Sequence, residues 1–252
     1  MNPYYPVVRK LAQLLLRLSV PVRLEGREYI PSSGPALLIA NHQSALDPIC
    51  LQAHVRRTVH SMTKSSQFQK PIFGWLLPRL HAFPTRRYRV DPQAVRHALR
   101  MLDAGEVVCI YGEGERTWTG ELHPLRLGTV RLALRAGVPI VPCGVSGAFR
   151  AKPRWGEGIR RAPIVVRFGP PLDLGVHRTR PEREAALPEA KALIEESIRK
   201  LVHLPSGPTD RATGTSYNPS NRSRGQTTAR HPADDARTSE GEKEGAGNPP
   251  PG

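Results

Sequence analysis

A histidine and an aspartate separated by four residues are the strongest candidates for chemistry in this sequence. The run Ala-Asn-His-Gln-Ser-Ala-Leu-Asp-Pro places His42 five positions before Asp47. An imidazole whose Nδ1–H is held by a carboxylate keeps a basic Nε2, which can take a proton from an incoming hydroxyl. No serine or cysteine nucleophile is required. The pair therefore predicts general-base catalysis on a hydroxyl group.

The spacing of this pair is weak support when it stands alone, because His and Asp also meet at this distance by chance. The alternative is a helix-capping aspartate beside a structural histidine. The following helix could begin in two ways: Ser44 caps it with Asp47 at the third position, or Asp47 caps it with Pro48 at the first. Either start leaves His42 in the turn after a strand, where ligand sites of open α/β sheets gather.

Two later segments, 81–87 (HAFPTRR) and 111–117 (YGEGERT), add groups that suit an anionic substrate. Their arginines can form paired hydrogen bonds to phosphate oxygens, and their glycines let backbone N–H groups approach a ligand closely. These residues are Arg86, Arg87, Gly112, Gly114 and Arg116. A solvated arginine pair and an ordinary tight turn are the alternatives. The order in which the segments follow His42 favours one shared site.

The elements that position these residues alternate between short apolar runs and helical patterns. The predicted strands are 36–40, 58–63, 106–111, 140–145 and 164–168, and the predicted helices are 48–55, 71–77, 91–102, 127–135 and 189–203. Such alternation predicts an α/β fold, a single domain with a central mixed β-sheet flanked by helices.

Composition separates a C-terminal segment from the rest of the 252 residues. Residues 205–252 contain almost no large apolar side chain, which predicts a disordered C-terminal tail, and 22–204 form the predicted folded domain. The tail has six basic and six acidic residues, so the formal charge of +15 belongs to the rest of the chain. A basic folded domain indicates an anionic partner, such as a nucleic acid, an anionic membrane or a phosphorylated substrate.

Residues 1–21 are predicted to contain an amphipathic helix, because apolar side chains at 4, 7, 8, 11, 14, 15 and 18 follow a helical period. Arg9, Lys10 and Arg17 interrupt them. The helix either lies in a membrane interface or covers the core. No apolar run is long enough to span a bilayer, and no secretory signal is evident. The three cysteines lie in apolar runs, which predicts buried, reduced thiols and a cytosolic protein. No Cys or His spacing indicates a metal site.

Residues 22–170 resemble the glycerolipid acyltransferases typified by 1-acylglycerol-3-phosphate (lysophosphatidic acid) acyltransferase. His42 and Asp47 are similar to the family's first block, His-x4-Asp, which implies a catalytic base and its partner. Segment 81–87 is similar to the second block, Gly-x-Phe-Pro/Ile-x-Arg, although His81 stands where glycine is usual. Phe83 and Arg86 match, and Arg87 is an equally possible phosphate ligand.

The third block of the family, Phe-Pro-Glu-Gly-Thr-Arg, resembles 111–116, where Glu113, Gly114 and Arg116 match. Tyr111, Gly112 and Glu115 depart from it. Gly112 is expected to loosen the loop, and Glu115 to add negative charge near the phosphate. Segment 138–142 is similar to the fourth, apolar block. The resemblance also implies a substrate-binding role for Lys64, which with the backbone N–H groups of the third block is a candidate to stabilise an oxyanion.

The resemblance implies acyl-CoA or acyl-carrier protein as the thioester co-substrate and lysophosphatidic acid as the acceptor. We expect no cofactor and no metal, no nucleic-acid partner, and peripheral attachment to an anionic membrane surface at the cytoplasmic face of a bacterial plasma membrane. The excess of Arg over Lys suits a GC-rich bacterial genome.

Two other hypotheses follow from the same residues. Gly112 and Glu115 would suit another lysolipid acceptor, such as lyso-ornithine lipid. The charge of +15 would suit a non-catalytic basic protein that binds membrane or nucleic acid, although zinc-finger, basic-zipper and RNA-recognition patterns are absent from the sequence.

Overall fold

A computed structural model describes residues 5–86 and 91–203. Within them the helices are α1 (Tyr5–Ser19), α2 (Asp47–His54), α3 (Ser65–Phe68), α4 (Pro71–Arg79), α5 (Pro92–Asp103), α6 (Leu127–Ala136), α7 (Ala148–Ala151) and α8 (Arg180–His203). The strands are β1 (Val22–Glu25), β2 (Ala36–Ala40), β3 (Val59–Lys64), β4 (Ala82–Thr85), β5 (Val107–Tyr111), β6 (Ile140–Ser146) and β7 (Ile164–Phe168). The predicted tail, 205–252, and Arg87 lie outside the described residues.

The described strands form one mixed sheet in the order β1-β7-β6-β2-β5-β3-β4. Five neighbouring strands, from β6 to β4, are mutually parallel, whereas β7 runs antiparallel to β6 and parallel to β1. The predicted α/β fold with a mixed sheet is confirmed. Parallel strands end at the same edge, so the residues that follow β2, β3, β4 and β5 meet at one edge of the sheet.

The side chains of the central strand β2 contribute to two hydrophobic cores, one on each face of the sheet. Successive side chains of a strand point to opposite faces. Ala36, Leu38 and Ala40 therefore join a core with α1, α2 and α7, whereas Leu37 and Ile39 join a core with α5, α6 and α8. All five residues are fully buried, as expected for a parallel strand covered on both faces.

Helix α1 packs on the first core with the face that lies opposite to its exposed leucines. Tyr5 and Leu16 are buried, whereas Val7, Leu11, Leu14, Leu15 and Leu18 are between 54% and 69% exposed. The guanidinium of Arg9 and the amide of Gln13 hold this buried side to the carbonyl of Ala53 at the end of α2. The predicted helix is confirmed, and its apolar stripe faces solvent.

All three cysteines are free and buried in the first core cluster, as predicted. Burial raises the pKa of the Cys109 thiol to about 12 and also raises the pKa values of Cys50 and Cys143. Within residues 5–86 and 91–203, no helix combines the length and apolarity needed to cross a membrane.

Several boundaries differ from prediction for physical reasons. β4 contains Pro84 and only four residues, too few to show a period of two. α8 starts at Arg180 rather than 189, because Pro188 lies inside the helix instead of at its first turn. β1 and α7 are also too short to stand out in the sequence. Leu46 is the N-cap of α2 and makes no side-chain capping bond, so the scheme with Asp47 as the cap is wrong. The Ser44 hydroxyl and the Asp47 carboxylate do bind backbone N–H groups as the other scheme predicted, but in the turn just before the helix.

Candidate active site

The turn between β2 and α2 brings the imidazole of His42 onto the carboxylate of Asp47. Nδ1 of His42 lies 2.8 Å from Oδ2 of Asp47. An ionised carboxylate only accepts hydrogen bonds, so Nδ1 is the donor and the basic lone pair belongs to Nε2. The aspartate is fully buried, whereas the histidine side chain keeps 10% of its surface accessible. This is the geometry that a general base requires.

The carboxylate of Asp47 is fixed by backbone groups of the turn that precedes it. Its Oδ2 also accepts the N–H groups of Gln43 and Ser44, at 2.7 and 2.8 Å. Three donors therefore converge on one oxygen and fix the orientation of the carboxylate. The hydroxyl of Ser44 accepts the Leu46 N–H and donates to the Lys152 carbonyl, so it serves the turn rather than capping α2.

Neighbouring strands hold His42 from both sides. The carboxylate of Glu113, after β5, accepts the His42 N–H at 2.6 Å and the His123 N–H at 3.0 Å. The His42 carbonyl accepts the Thr117 N–H at 2.8 Å. On the other side, the amide of Asn41 exchanges two hydrogen bonds with the backbone of Val145 on β6. The imidazole is consequently seated on a fully bonded backbone.

Tyr111 forms the floor under the imidazole. Its ring stacks on that of His42 with centroids 4.1 Å apart and planes 25° from parallel. Burial strongly raises the pKa of the Tyr111 hydroxyl, so it is neutral at physiological pH. The tyrosine that departs from the family's phenylalanine therefore retains an aromatic support for the base.

Glu113 lies behind the dyad rather than in an open substrate groove. It is 4% exposed, and burial raises the pKa of its carboxyl to about 7, against the two backbone hydrogen bonds that lower it. Its hydrogen bonds to the backbone N–H groups of His42 and His123 hold the turn that carries the His42 imidazole. The sequence pattern assigned it to the substrate, and the long-range contact with His42 had no signal in the sequence.

The glycines of the β5 loop allow close packing. Gly114 has φ of +74°, and a Cβ there would collide with the Arg126 side chain, whose Nε donates to the Glu113 carbonyl. A Cβ on Gly112 would collide with Leu125. Gly112 therefore leaves room for Leu125, and the loop is packed rather than loosened.

The charge of Glu115 is matched by two arginines. Its carboxylate lies 2.9 Å from Nη1 of Arg154 and 3.6 Å from Nη2 of Arg126. Arg154 also stacks on Trp118, with its guanidinium carbon 4.0 Å from the ring centroid. The extra negative charge expected near the phosphate site is thus paired. Arg126 and Arg154 were missed in the sequence because they join the loop from other segments.

Arg116, a predicted phosphate ligand, follows the β5 loop that holds His42. It is half-buried, and burial with the Arg154 guanidinium lowers its pKa while the charge of Asp47 raises it. A guanidinium stays cationic under these influences, so Arg116 brings positive charge within electrostatic reach of Asp47.

Lys64 and Arg86 lie at the same sheet edge but further along it. Lys64 ends β3 opposite Thr85, and Arg86 follows β4. β4 is three strands from β2, which corresponds to about 14 Å at the usual spacing of neighbouring strands. The Arg86 side chain is 62% exposed, with Nε 3.6 Å from an oxygen of Asp91. These two cations therefore lie at the β3–β4 end of the sheet edge, away from the dyad.

Phe83 and His81 belong to the same sequence block as Arg86 but lie away from this end, with Phe83 inside β4 and His81 just before the strand begins. Phe83 is 4% exposed and packs in the second core, with its ring centroid 4.6 Å from that of His97. The structure thus places Phe83 in the core rather than on the substrate side. His81 has φ of +55°, the left-handed conformation that explains why the related block has glycine there.

The backbone amides of the β5 loop differ in availability. Those of Gly112, Gly114 and Thr117 already donate to Ala40, Tyr111 and His42 carbonyls. They cannot also bind an oxyanion without breaking these bonds. Among the residues that the structure describes, no group of three or more His, Cys, Asp or Glu side chains is arranged to hold a metal ion.

Curated relatives and a solved structure resemble this chain. A 1-acyl-sn-glycerol-3-phosphate acyltransferase of Bacillus subtilis (strain 168) is 29% identical over 204 residues, 79% of this chain and 100% of that protein. A chloroplastic enzyme of the same name from Arabidopsis thaliana is 31% identical over 143 residues, 55% of this chain and 39% of its own length. The chain thus spans about two fifths of the plant protein.

The fold matches a crystal structure of 1-acyl-sn-glycerophosphate acyltransferase from Thermotoga maritima with a TM-score of 0.59. The match covers 76% of this chain and 79% of the other at 21% identity, which supports the fold. Residues 21–146, half of the chain, match the Acyltransferase family model and include both members of the dyad and the β5 loop. The resemblance predicted from the motifs is confirmed, and the chain belongs to the acyltransferase family.

Proposed function

We propose that this enzyme transfers a fatty acyl group from a thioester to the free hydroxyl of 1-acyl-sn-glycerol 3-phosphate, which gives phosphatidic acid. The observation that carries the proposal is the 2.8 Å contact between His42 and Asp47 at an edge that also presents Arg116, Lys64 and Arg86. The names of the relatives support the same acceptor.

In the proposed reaction, Nε2 of His42 takes the proton of the acceptor hydroxyl as its oxygen attacks the thioester carbonyl. The C–O bond forms, the tetrahedral intermediate collapses, and the C–S bond breaks. His42 then returns the proton to the departing thiolate. The ionised Asp47 stabilises the imidazolium formed between the two steps. General-base assistance of this kind contributes about 10²-fold to 10⁴-fold.

The cations of the edge bind the acceptor phosphate in this proposal. Arg86 and Arg116 have the planar groups that match phosphate oxygens, and Lys64 adds a point charge. Arg87 is retained as an equal candidate with Arg86. Pairing of Glu115 with Arg126 and Arg154 favours a phosphate-bearing acceptor over lyso-ornithine lipid, because it removes an unpaired negative charge from the loop.

The donor is acyl-CoA or acyl-carrier protein, and no metal or other cofactor is needed because a thioester carbonyl is already reactive. Lys64 or an uncommitted amide of the β5 loop stabilises the oxyanion. The exposed leucines of α1, flanked by Lys10 and Arg17, attach the enzyme peripherally to the cytoplasmic face of the plasma membrane.

The test is lipid mass analysis after incubation with lysophosphatidic acid and either acyl-CoA or acyl-carrier protein. We expect phosphatidic acid from the wild type and a loss of about 10²-fold to 10⁴-fold in His42→Ala. His203→Ala, at the exposed end of α8, is the control and should retain full activity.

An acceptor panel identifies the alternatives. Acylation of lyso-ornithine lipid with little phosphatidic acid would replace the proposed acceptor while keeping the chemistry. Steeply salt-dependent DNA binding without thioester turnover would favour the non-catalytic basic protein.

A further inference from the structure

The segment that joins β6 to β7, residues 147–163, forms an exposed basic and apolar surface beside the active site. We name it the β6–β7 connection. It carries Arg150, Lys152, Arg154, Arg160 and Arg161 against the single acid Glu157. Trp155 is 59% exposed and Ile159 is 50% exposed. Large apolar side chains surrounded by cations are unusual on a solvent-facing surface.

Contacts to the dyad place this connection at the active-site edge. The side chain of Gln43, next to His42, accepts the Phe149 N–H and donates to the Gly120 carbonyl. The indole of Trp155 stacks on that of Trp118, with planes 12° from parallel and centroids 6.3 Å apart. Trp155 therefore packs on the residue that follows Thr117, whose N–H binds the His42 carbonyl.

The far end of the connection meets helix α1. A cavity of about 400 Å³ is lined by Arg17, Val20 and Val22 on one side and by Arg161 on the other. Leu18, the last leucine of the exposed stripe of α1, is next to Arg17 in the chain. Helix α1 and the connection therefore each contribute an arginine to the same cavity.

We infer that the β6–β7 connection is a second membrane-contact surface, in which Trp155 and Ile159 enter the interface of an anionic bilayer and Arg150, Arg160 and Arg161 bind its phosphates. Together with α1, it would hold the active-site edge against the bilayer in which a lipid acceptor resides. The inference rests on the proposed function only for the lipid nature of the acceptor.

Charge favours a bilayer as the occupant. The side chains of Arg150, Arg160 and Arg161 are exposed, and within residues 5–86 and 91–203 they form no ion pair. By contrast, Arg154 is committed to Glu115 and Lys152 to the carbonyls of Gly156 and Glu157. Indole and aliphatic side chains beside uncommitted arginines are the composition of an interfacial lipid contact.

The direct test places a reporter in the bilayer. In full-length protein carrying Trp75→Phe and Trp118→Phe, Trp155 is the remaining indole. Its fluorescence is measured on phosphatidylglycerol-containing vesicles with and without lipids brominated on the acyl chains. We expect quenching by the brominated lipids. Unquenched Trp155 fluorescence on vesicles that bind the protein would overturn the inference.

Vesicle partitioning of variants gives a second readout. Trp155→Ser with Ile159→Ser should weaken partitioning by about tenfold or more, since two apolar side chains leave the interface. Each of Arg150→Gln, Arg160→Gln and Arg161→Gln should weaken it by about fivefold on anionic vesicles and by little on neutral ones.

The matched control is Val176→Ser. Val176 is 80% exposed and follows Leu172, which bridges to Ile140 at the opposite edge of the sheet. It should leave partitioning unchanged, and equal loss in Val176→Ser would contradict the assignment. Thermal unfolding checks that each variant is folded.

Two results separate this inference from the proposed function. Vesicle binding is measured without substrate, so it does not depend on acyl transfer. Activity on a short-chain, water-soluble lysophosphatidic acid should persist in the connection variants. If partitioning is unchanged but the KM for acyl-carrier protein rises, the surface binds an acidic protein, and the membrane assignment is wrong.

Discussion

The two ends of the active-site edge are built differently. At the β2–β5 end, His42, Asp47 and Glu113 are buried, and backbone groups of neighbouring turns bind their polar atoms. At the β3–β4 end, Arg86 projects into solvent, with Asp91 as its closest ionic contact. In the proposed mechanism, the packed end carries out the proton transfer and the exposed end binds the acceptor phosphate. Substitutions at the first end should lower kcat, and those at the second should raise KM.

The largest effect on kcat among these predictions should come from removing the charge of Asp47 while keeping the shape of its side chain. All three hydrogen bonds to the carboxylate converge on Oδ2, whereas Oδ1 is buried without a hydrogen-bond partner in the described structure. In Asp47→Asn the amide oxygen can keep these bonds, the ionic stabilisation of the imidazolium is lost, and the new NH2 group takes the buried Oδ1 position. We expect kcat to fall by about 10²-fold to 10⁴-fold, as measured by steady-state acyl transfer.

An unchanged KM for the acceptor would be the companion result, because Asp47 does not contact the proposed phosphate ligands directly. A fall in kcat of less than about threefold would remove the aspartate from the proposed mechanism. The thermal midpoint of the variant shows whether the turn survives.

Glu113 should dominate the pH dependence of stability at the buried end. Its folded pKa, about 7, lies above its ordinary value of 4.5. Between these values the folded protein binds a proton that the unfolded chain has released, so stability falls as pH rises from 4.5 towards 7. The loss amounts to roughly 3 kcal/mol and is complete above the folded pKa.

The measurement is the free energy of urea unfolding against pH for the wild type and Glu113→Gln. Relative to the variant, the wild type should lose stability across this window and change little beyond it. A difference that stays flat between pH 5 and 7 would contradict the raised pKa. Glu189→Gln, at an exposed position of α8, is the control.

The smallest effect is expected at the β3–β4 end. Arg86→Ala should raise the KM for lysophosphatidic acid by about 10-fold to 100-fold, the usual worth of a charge-assisted hydrogen bond. The kcat should stay within about threefold, since the base is untouched. Arg135→Ala, an exposed arginine in the last turn of α6, should leave both constants unchanged.

The same comparison shows what the sequence could predict. His42 and Asp47 are five residues apart, so the turn after a buried strand had few ways to arrange them, and their contact was predicted. The sheet edge followed from parallel strands. Glu113, Arg126 and Arg154 reach the site across long stretches of chain, and local patterns carry no information on such contacts. Arg87 and the tail lie outside the described residues, and their roles stay predictions.

Short elements were the other source of error. β4 contains Phe83 and is followed directly by Arg86, yet its four residues include a proline, which argues against a strand in the sequence. Helix α2 begins at Asp47, one residue before the predicted start, and Asp47 turns its carboxylate back to the preceding loop.

The buried cysteines make this chain convenient for site-specific labelling. A thiolate is the reactive form of cysteine, and Cys50, Cys109 and Cys143 are both inaccessible and held protonated. A maleimide or a thiol-reactive spin label should therefore not react with the native cysteines while the protein is folded. A reagent-accessible thiol introduced by Ile159→Cys would carry the label alone and report immersion depth without a cysteine-free background.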